Sequence, residues 1–251
     1  MTSPPHRLRR PHIPHAAHEA RPGCRSRSLR VHCSSSFRRS RGGRMATVIR
    51  EVPQGAPGSG GSGDTVGDAA RFGVITVSDR ASQAVYKDES GPAILQFFKE
   101  AIASPWEAHY RLIPDEQPMI EKAIKELVDD VGCCLVVTTG GTGPSVRDVT
   151  PEATEAVCDR MMPGYGEQMR AISLRYVPTA VLSRQTAGLR GRSLVMNLPG
   201  KPKSIRETID EVFVSIPTCI QIMDGPYIVT HESVVKAFRP ASIVRKEKPA
   251  A

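Results

Sequence analysis

Four short segments carry residue types suited to holding phosphate. The densest is Thr138-Thr139-Gly140-Gly141-Thr142-Gly143-Pro144, followed by Arg147-Asp148-Val149-Thr150-Pro151-Glu152. Glycines let backbone N–H groups approach a phosphate closely, and threonine hydroxyls add donors. The run lacks the G-K-[ST] ending of a P-loop and the spacing of a dinucleotide fingerprint. Asp148 is the informative departure. An acid beside a phosphate site is repulsive unless a cation lies between them, and Mg²⁺ characteristically takes one or two carboxylates together with phosphate oxygens. The alternative role for Asp148 is to cap the helix expected to begin near Pro151.

The other three segments repeat parts of this chemistry. Ser78-Asp79-Arg80-Ala81-Ser82 offers hydroxyls and an acid that could bond a phosphate or hold a cation-bound water, or simply form a capped turn. Asn197-Leu198-Pro199-Gly200-Lys201-Pro202-Lys203-Ser204 places a glycine and two lysines before a helix. It reads as a second anion site or as a helix entry with solvated lysines. Between the two glycine segments, Ser183 and Arg184 add a hydroxyl and a guanidinium, for phosphate or for the surface. The candidate binding set is Ser78, Asp79, Thr139, Gly140, Gly141, Thr142, Gly143, Ser183, Arg184, Asn197, Pro199, Gly200 and Lys201. Asp115, in Pro114-Asp115-Glu116, is an ordinary helix cap unless another acid faces it across the same crevice.

The elements that must position these residues are legible from period and punctuation. Residues 72–78, 108–113, 133–138 and 194–197 are short apolar runs that predict buried strands. Pro92 sits in the first turn of a helix expected over 93–101. Ile120, Ile124, Leu127 and Val128 form one apolar stripe of another. Further helices are expected over 151–161, 166–176, 204–214 and 216–223, with an extended end. Strands alternating with helices predict an α/β fold, a three-layer α/β/α sandwich with a mostly parallel sheet. Ligands in such folds bind beyond the carboxyl ends of the strands, where the loops at 78–82, 114–116, 138–152 and 197–204 are expected to fall. Trp106 is expected at a surface edge, packing rather than stacking on a ligand. Tyr165, Met161, Met162 and Met169 are expected in the core or a subunit interface, and Cys133 and Cys134 as small buried residues.

Charge divides the chain. Of 34 basic and 26 acidic residues in 251, residues 1–44 hold eleven arginines and one acid, Glu19. The remainder, with 23 basic and 25 acidic residues, is near neutral, which disfavours nucleic acid as a partner of the folded part. No run reaches the length of a membrane span, so no membrane partner is expected. Six cysteines without a C-x-x-C pair do not suggest zinc and fit a reducing, intracellular compartment. Residues 1–69 read as a disordered Arg/Ser/Pro-rich tail followed by a Gly/Ser linker over 53–68, and residues 70–251 as one domain. The first 44 residues are either an organelle transit peptide or a translated leader upstream of Met45.

TTGGTGPSVRDVTPEAT, MPGYGEQMR, LSRQTAG and NLPGKPKSI, in this order and spacing, resemble the molybdopterin adenylyltransferases, the MogA and gephyrin G-domain family, over residues 72–239. The resemblance implies the molybdopterin-binding fold and the adenylylation of molybdopterin by ATP with Mg²⁺, releasing pyrophosphate. The family's two functional aspartates match Asp115 and Asp148, which would be both catalytic and metal-holding. It also implies a homotrimer, a downstream molybdate-insertion enzyme as the product's recipient, and a cytoplasmic location, or a chloroplast or mitochondrial one if residues 1–44 direct import. The same fold without nucleotide chemistry would be a molybdopterin-binding or scaffold module, a reading that loss of the acids would favour.

Overall fold

In a computed structural model of the chain, which describes residues 46–51 and 69–243, the strands and helices alternate as their apolar patterns require. The tail before 46, the linker over 53–68 and the last eight residues lie outside the described residues, and with them both readings of residues 1–44. The strands are β1 (Ala46–Glu51), β2 (Ala70–Val77), β3 (Trp106–Ile113), β4 (Leu135–Thr139), β5 (Arg160–Met161), β6 (Ala187–Arg190) and β7 (Ser193–Leu198). The helices are α1 (Asp79–Ser82), α2 (Ser90–Ala101), α3 (Gln117–Lys125), α4 (Thr150–Val157), α5 (Pro163–Leu174), α6 (Pro202–Val212) and α7 (Ile216–Ile222). A π-helical turn, Glu126–Asp130, extends α3, and a 3₁₀ turn, Pro178–Leu182, follows α5.

The sheet runs β1-β3-β2-β4-β7-β6-β5. Its central four strands are parallel, and antiparallel strands complete both edges. From β2 the chain first steps outward to β3, then crosses to β4 on the other side. That reversal opens a crevice at the carboxyl ends of the strands. Alternation along the strands fills two cores. Phe72, Val74, Leu135, Val137, Leu194 and Met196 face the layer of α2, α5, α6 and α7. Ile75, Val77, Val136 and Val195 face α3 and α4. On the first face Phe98 packs its ring centroid 4.8 Å from that of Phe72 and 6.1 Å from that of Trp106. The three-layer sandwich is therefore as expected.

Several boundaries differ. The helix expected over 151–161 ends at Val157, because Asp159 N–H donates to Leu189 carbonyl and Arg160–Met161 pairs with β6. Pro163 also disfavours helical backbone at Met162 and instead opens α5, three residues ahead of the expected start. The segment Ala187–Arg190 is a strand that its small residues did not announce. β1, inside the expected tail, pairs antiparallel with β3 at the sheet edge. Trp106 is 3% exposed and belongs to the core rather than a surface edge. Tyr165, Met169, Cys133 and Cys134 are buried as expected, and burial pushes both of those thiols up to about 12.

Candidate functional site

The site is built from three loops at the carboxyl ends of β2, β3 and β4, with the β7 loop beside them. After β4 the backbone reverses through Gly140 and Gly141, both at positive φ (96° and 62°). A Cβ on Gly140 would fall on the carbonyl oxygen of Val77, the last residue of β2, so only glycine lets the turn lie this close. Thr150, opening α4, fixes the turn by donating its hydroxyl to Gly140 carbonyl at 2.9 Å and its N–H to Gly141 carbonyl at 3.1 Å. Val149, not Asp148, is the cap residue of α4, and no side chain bonds that helix end. The Asp148 carboxylate turns back instead, accepting from Ser145 N–H at 2.9 Å.

Asp115 and Asp148 both lie against this turn. A Cβ on Gly141 would be 3.3 Å from Asp115 Oδ1, and one on Gly143 would be 2.8 Å from Asp148 Oδ2. Asp115 is therefore faced by a second acid across the crevice. Burial raises its pKa, and the charges of Asp79 and Asp148 raise it further. Asp79 and Asp115 are joined reciprocally. Asp79 N–H donates to Asp115 Oδ2 at 2.6 Å, and Asp115 N–H donates to Asp79 Oδ1 at 3.0 Å. Arg147 clamps Asp79 through Nη2 (2.8 Å to Oδ2, 3.0 Å to Oδ1) and Nε (3.1 Å to Oδ2). Its Nη1 donates to Glu116 at 2.9 Å. The guanidinium holds the Asp79 carboxyl below the usual range.

This donor set fits a hard divalent cation: two carboxylates repelling each other beside a turn that phosphate can approach. Among the described residues no group of three or more His, Cys, Asp or Glu is arranged to hold a metal alone. A cation here would need phosphate oxygens to complete its shell.

The remaining predicted residues divide into those at the crevice and those behind it. Ser78 caps α1, accepting from Ala81 N–H at 3.2 Å, and shares a hydrogen bond with Tyr86 hydroxyl. Pro199, Gly200 and Lys201 lie beside the turn. A Cβ on Gly200 would be 3.5 Å from Gly140 Cα, and Gly200 carbonyl accepts from Ser90 hydroxyl at 2.6 Å. Thr139 is buried and is a tether rather than a ligand group, its hydroxyl donating to Pro199 carbonyl at 2.7 Å. Asn197 is also buried, its amide donating to Thr138 and Thr154 hydroxyls at 3.0 and 2.8 Å. Asn197 Oδ1 is buried without a hydrogen-bond partner.

Arg184 braces the glycine loop. Its N–H donates to Thr142 carbonyl at 2.9 Å and its Nε to Gly143 carbonyl at 2.8 Å. Its other nitrogens bond Asp148 carbonyl and Glu152. Ser183 hydroxyl is turned to Gln185. Sequence reasoning gave no role to Arg147, Thr150 or Ser90. The signal for Arg147 was its place beside Asp148. A further missed network surrounds Asp88, which accepts from Tyr110 hydroxyl at 2.6 Å and Thr76 hydroxyl at 2.9 Å.

Thr139→Val keeps shape and burial but orphans Pro199 carbonyl. It should cost about 1–2 kcal/mol in urea unfolding. Because the hydroxyl is a tether, the Km for a phosphate-bearing substrate should stay within about twofold of the parent's, a shift worth less than one hydrogen bond. A large rise in Km without loss of stability would return Thr139 to the binding set.

Comparison with known proteins places the chain among similar sequences and folds. The family model described as a probable molybdopterin binding domain matches residues 73–218. The molybdopterin adenylyltransferase of Escherichia coli K12 is 53% identical over 187 residues, covering 70% of this chain and 96% of that protein. The protein of the same name from Helicobacter pylori J99 is 54% identical over 169 residues, covering 67% and 96%. The crystal structure of the molybdopterin biosynthesis enzyme MoaB from Thermus thermophilus superposes with a TM-score of 0.58 at 41% identity, covering 63% of this chain and 99% of that one. The molybdopterin biosynthesis Mog protein of Mycobacterium ulcerans gives 0.57 at 35% identity, covering 62% and 99%.

Proposed function

The chain belongs to the molybdopterin-binding family, and from that premise we propose that it is a molybdopterin adenylyltransferase, joining the adenylyl group of ATP to molybdopterin and releasing pyrophosphate in molybdenum cofactor biosynthesis. The observation that carries this is the convergence of Asp115 and Asp148 on the glycine turn, in a chain that matches nearly the whole length of curated adenylyltransferases.

The terminal phosphate of molybdopterin attacks the α-phosphorus of ATP. The new P–O bond forms as the bond to pyrophosphate breaks, and pyrophosphate carries away the electron pair. The attacking oxygen is already ionised at neutral pH, so neither a covalent nucleophile nor a general base is demanded of the protein. Its work is to bring two anions together in line. The amides of Gly140, Gly141, Thr142 and Gly143 offer donors, and Arg184 holds that loop rigid from behind. Mg²⁺ held between Asp115 and Asp148 would neutralise phosphate charge. Ser78, Gly200 and Lys201 border the same crevice and suit the pterin phosphate or the leaving group.

The test is pyrophosphate release by the full chain given ATP, Mg²⁺ and molybdopterin. Release that requires the pterin supports the transferase. Tight pterin binding without release would turn the reading toward a binding or scaffold module.

We propose that the chain self-associates, as a homotrimer on the family's pattern, through an exposed apolar stretch. Leu174, Tyr176, Val177, Val181 and Leu182 are 45–66% exposed within nine residues. Val181→Asp should shift the particle to monomer mass in light scattering without lowering its helix content. An unchanged mass would remove this stretch as the interface. The product would then pass to a molybdate-insertion enzyme.

A further inference from the structure

Four carboxylates, Asp79, Asp115, Glu116 and Asp148, crowd the mouth of the crevice, and the guanidinium among them is that of Arg147. The way this charge is shared is uneven. Both oxygens of Asp79 are taken: Oδ1 by Asp115 N–H and Arg147 Nη2, Oδ2 by Arg147 Nη2 and Nε. Asp115 spends Oδ2 on Asp79 N–H, which leaves its Oδ1 toward Gly141. Asp148 sits beside Gly143. The arginine thus occupies Asp79 and Glu116, while Asp115 and Asp148 each keep an oxygen against the turn.

We propose that Arg147 is a positioning residue that keeps Asp79 out of the cation site, so that the site presents two carboxylates rather than three and fills only together with substrate phosphate. The proposal rests on the adenylyltransferase reading for its purpose, though not for its test. A third carboxylate would bind a divalent cation without nucleotide and would hold a cation–pyrophosphate product after transfer. Arg147 suits the task because its fork occupies both oxygens of one carboxylate while a third nitrogen anchors on Glu116. At 53% side-chain exposure it makes this clamp on the rim, where Asp115 N–H is the other donor to the Asp79 carboxylate.

The experiment measures Mn²⁺ binding to the full chain by electron paramagnetic resonance, without ATP or pterin. The Asp115→Asn/Asp148→Asn double variant supplies the background from all other groups. Arg147→Ala should bind Mn²⁺ about 10-fold more tightly than the parent, the scale of one added carboxylate at close range. Two double variants then have equal net charge. Arg147→Ala/Asp79→Asn should return to within about twofold of the parent, whereas Arg147→Ala/Glu116→Gln should retain most of the tightening. Arg147→Lys, which keeps the charge but not the fork, should fall between parent and Arg147→Ala, and it serves if Arg147→Ala melts early. Unchanged or weaker Mn²⁺ binding in Arg147→Ala overturns the proposal. Equal behaviour of the two doubles also overturns it, since charge alone would then explain the gain. Failure of the adenylyltransferase reading would appear separately, as a parent protein that releases no pyrophosphate.

Discussion

Asp148→Asn is expected to lower pterin-dependent pyrophosphate release by about 10²–10³-fold, the loss typical when one preorganised charge-stabilising group is removed. The fold should be untouched. The amide oxygen of asparagine can still accept from Ser145 N–H, the bond that Asp148 makes in the loop. Stability should therefore change by less than about 1 kcal/mol. Molybdopterin binding should survive, because the backbone donors of Gly140 to Gly143 remain. Asp115→Asn should match it in lost turnover but differ in stability. Burial and two like charges raise the Asp115 pKa, so the folded state disfavours its ionised form relative to the unfolded chain. That penalty is absent below the unfolded pKa of about 3.9 and complete above the raised folded value. Asp115→Asn, measured with chelator at pH 7, should melt at or above the parent temperature. Two variants that lose activity equally, one neutral and one stabilising, would mark these acids as held for function. If both were simple helix caps, asparagine would cap about as well as aspartate, and each substitution would leave both stability and turnover nearly intact.

Burial pattern made most of the frame legible. β2, β4 and β7 are continuous apolar runs because helices cover both faces of a parallel sheet, and such strands announce themselves. Pro92 and Pro151 mark helix beginnings through a fixed backbone angle, whereas Pro163 and Pro202, which open α5 and α6, lie ahead of the expected starts. β5 and β6 were not legible, since such short strands depend on their pairing with each other and with β7 rather than on their own residues. The internal hydrogen bonds of Asn197 and Thr139 were hidden for a different reason. A polar residue next to a glycine turn looks like a ligand group, yet the strand period carries Asn197 to the Val195 face under α4. Arg184 could not be placed either way. Its partner Gly143 lies 41 residues earlier, and only the folded loop shows that the guanidinium points at carbonyls. The acids were readable as types at strand ends. Their sorting by Arg147 was not, because it joins residues 68 positions apart.

Gly140→Ala tests whether the turn works as a rigid part. Two costs act together there. A φ of 96° is foreign to an L-residue and costs about 1–2 kcal/mol. The added Cβ would also fall on Val77 carbonyl oxygen, which belongs to the central strand and cannot rotate away as a side chain would. The sum should exceed about 3 kcal/mol in chemical unfolding. Gly191→Ala separates the two costs. Gly191 also has positive φ, 53°, but nothing lies within 4 Å of its Cβ position. It should lose only about 1 kcal/mol, the price of backbone strain alone. Equal losses at the two positions would mean that the loop yields freely and the contact with β2 constrains nothing. A larger loss at Gly140 has a functional corollary. The turn can escape Val77 only by shifting Gly141 and Gly143 relative to Asp115 and Asp148. Turnover per folded molecule should then fall in Gly140→Ala and remain at the parent level in Gly191→Ala. That outcome would tie the rate to the spacing between the amides and the two acids, rather than to the presence of either set alone.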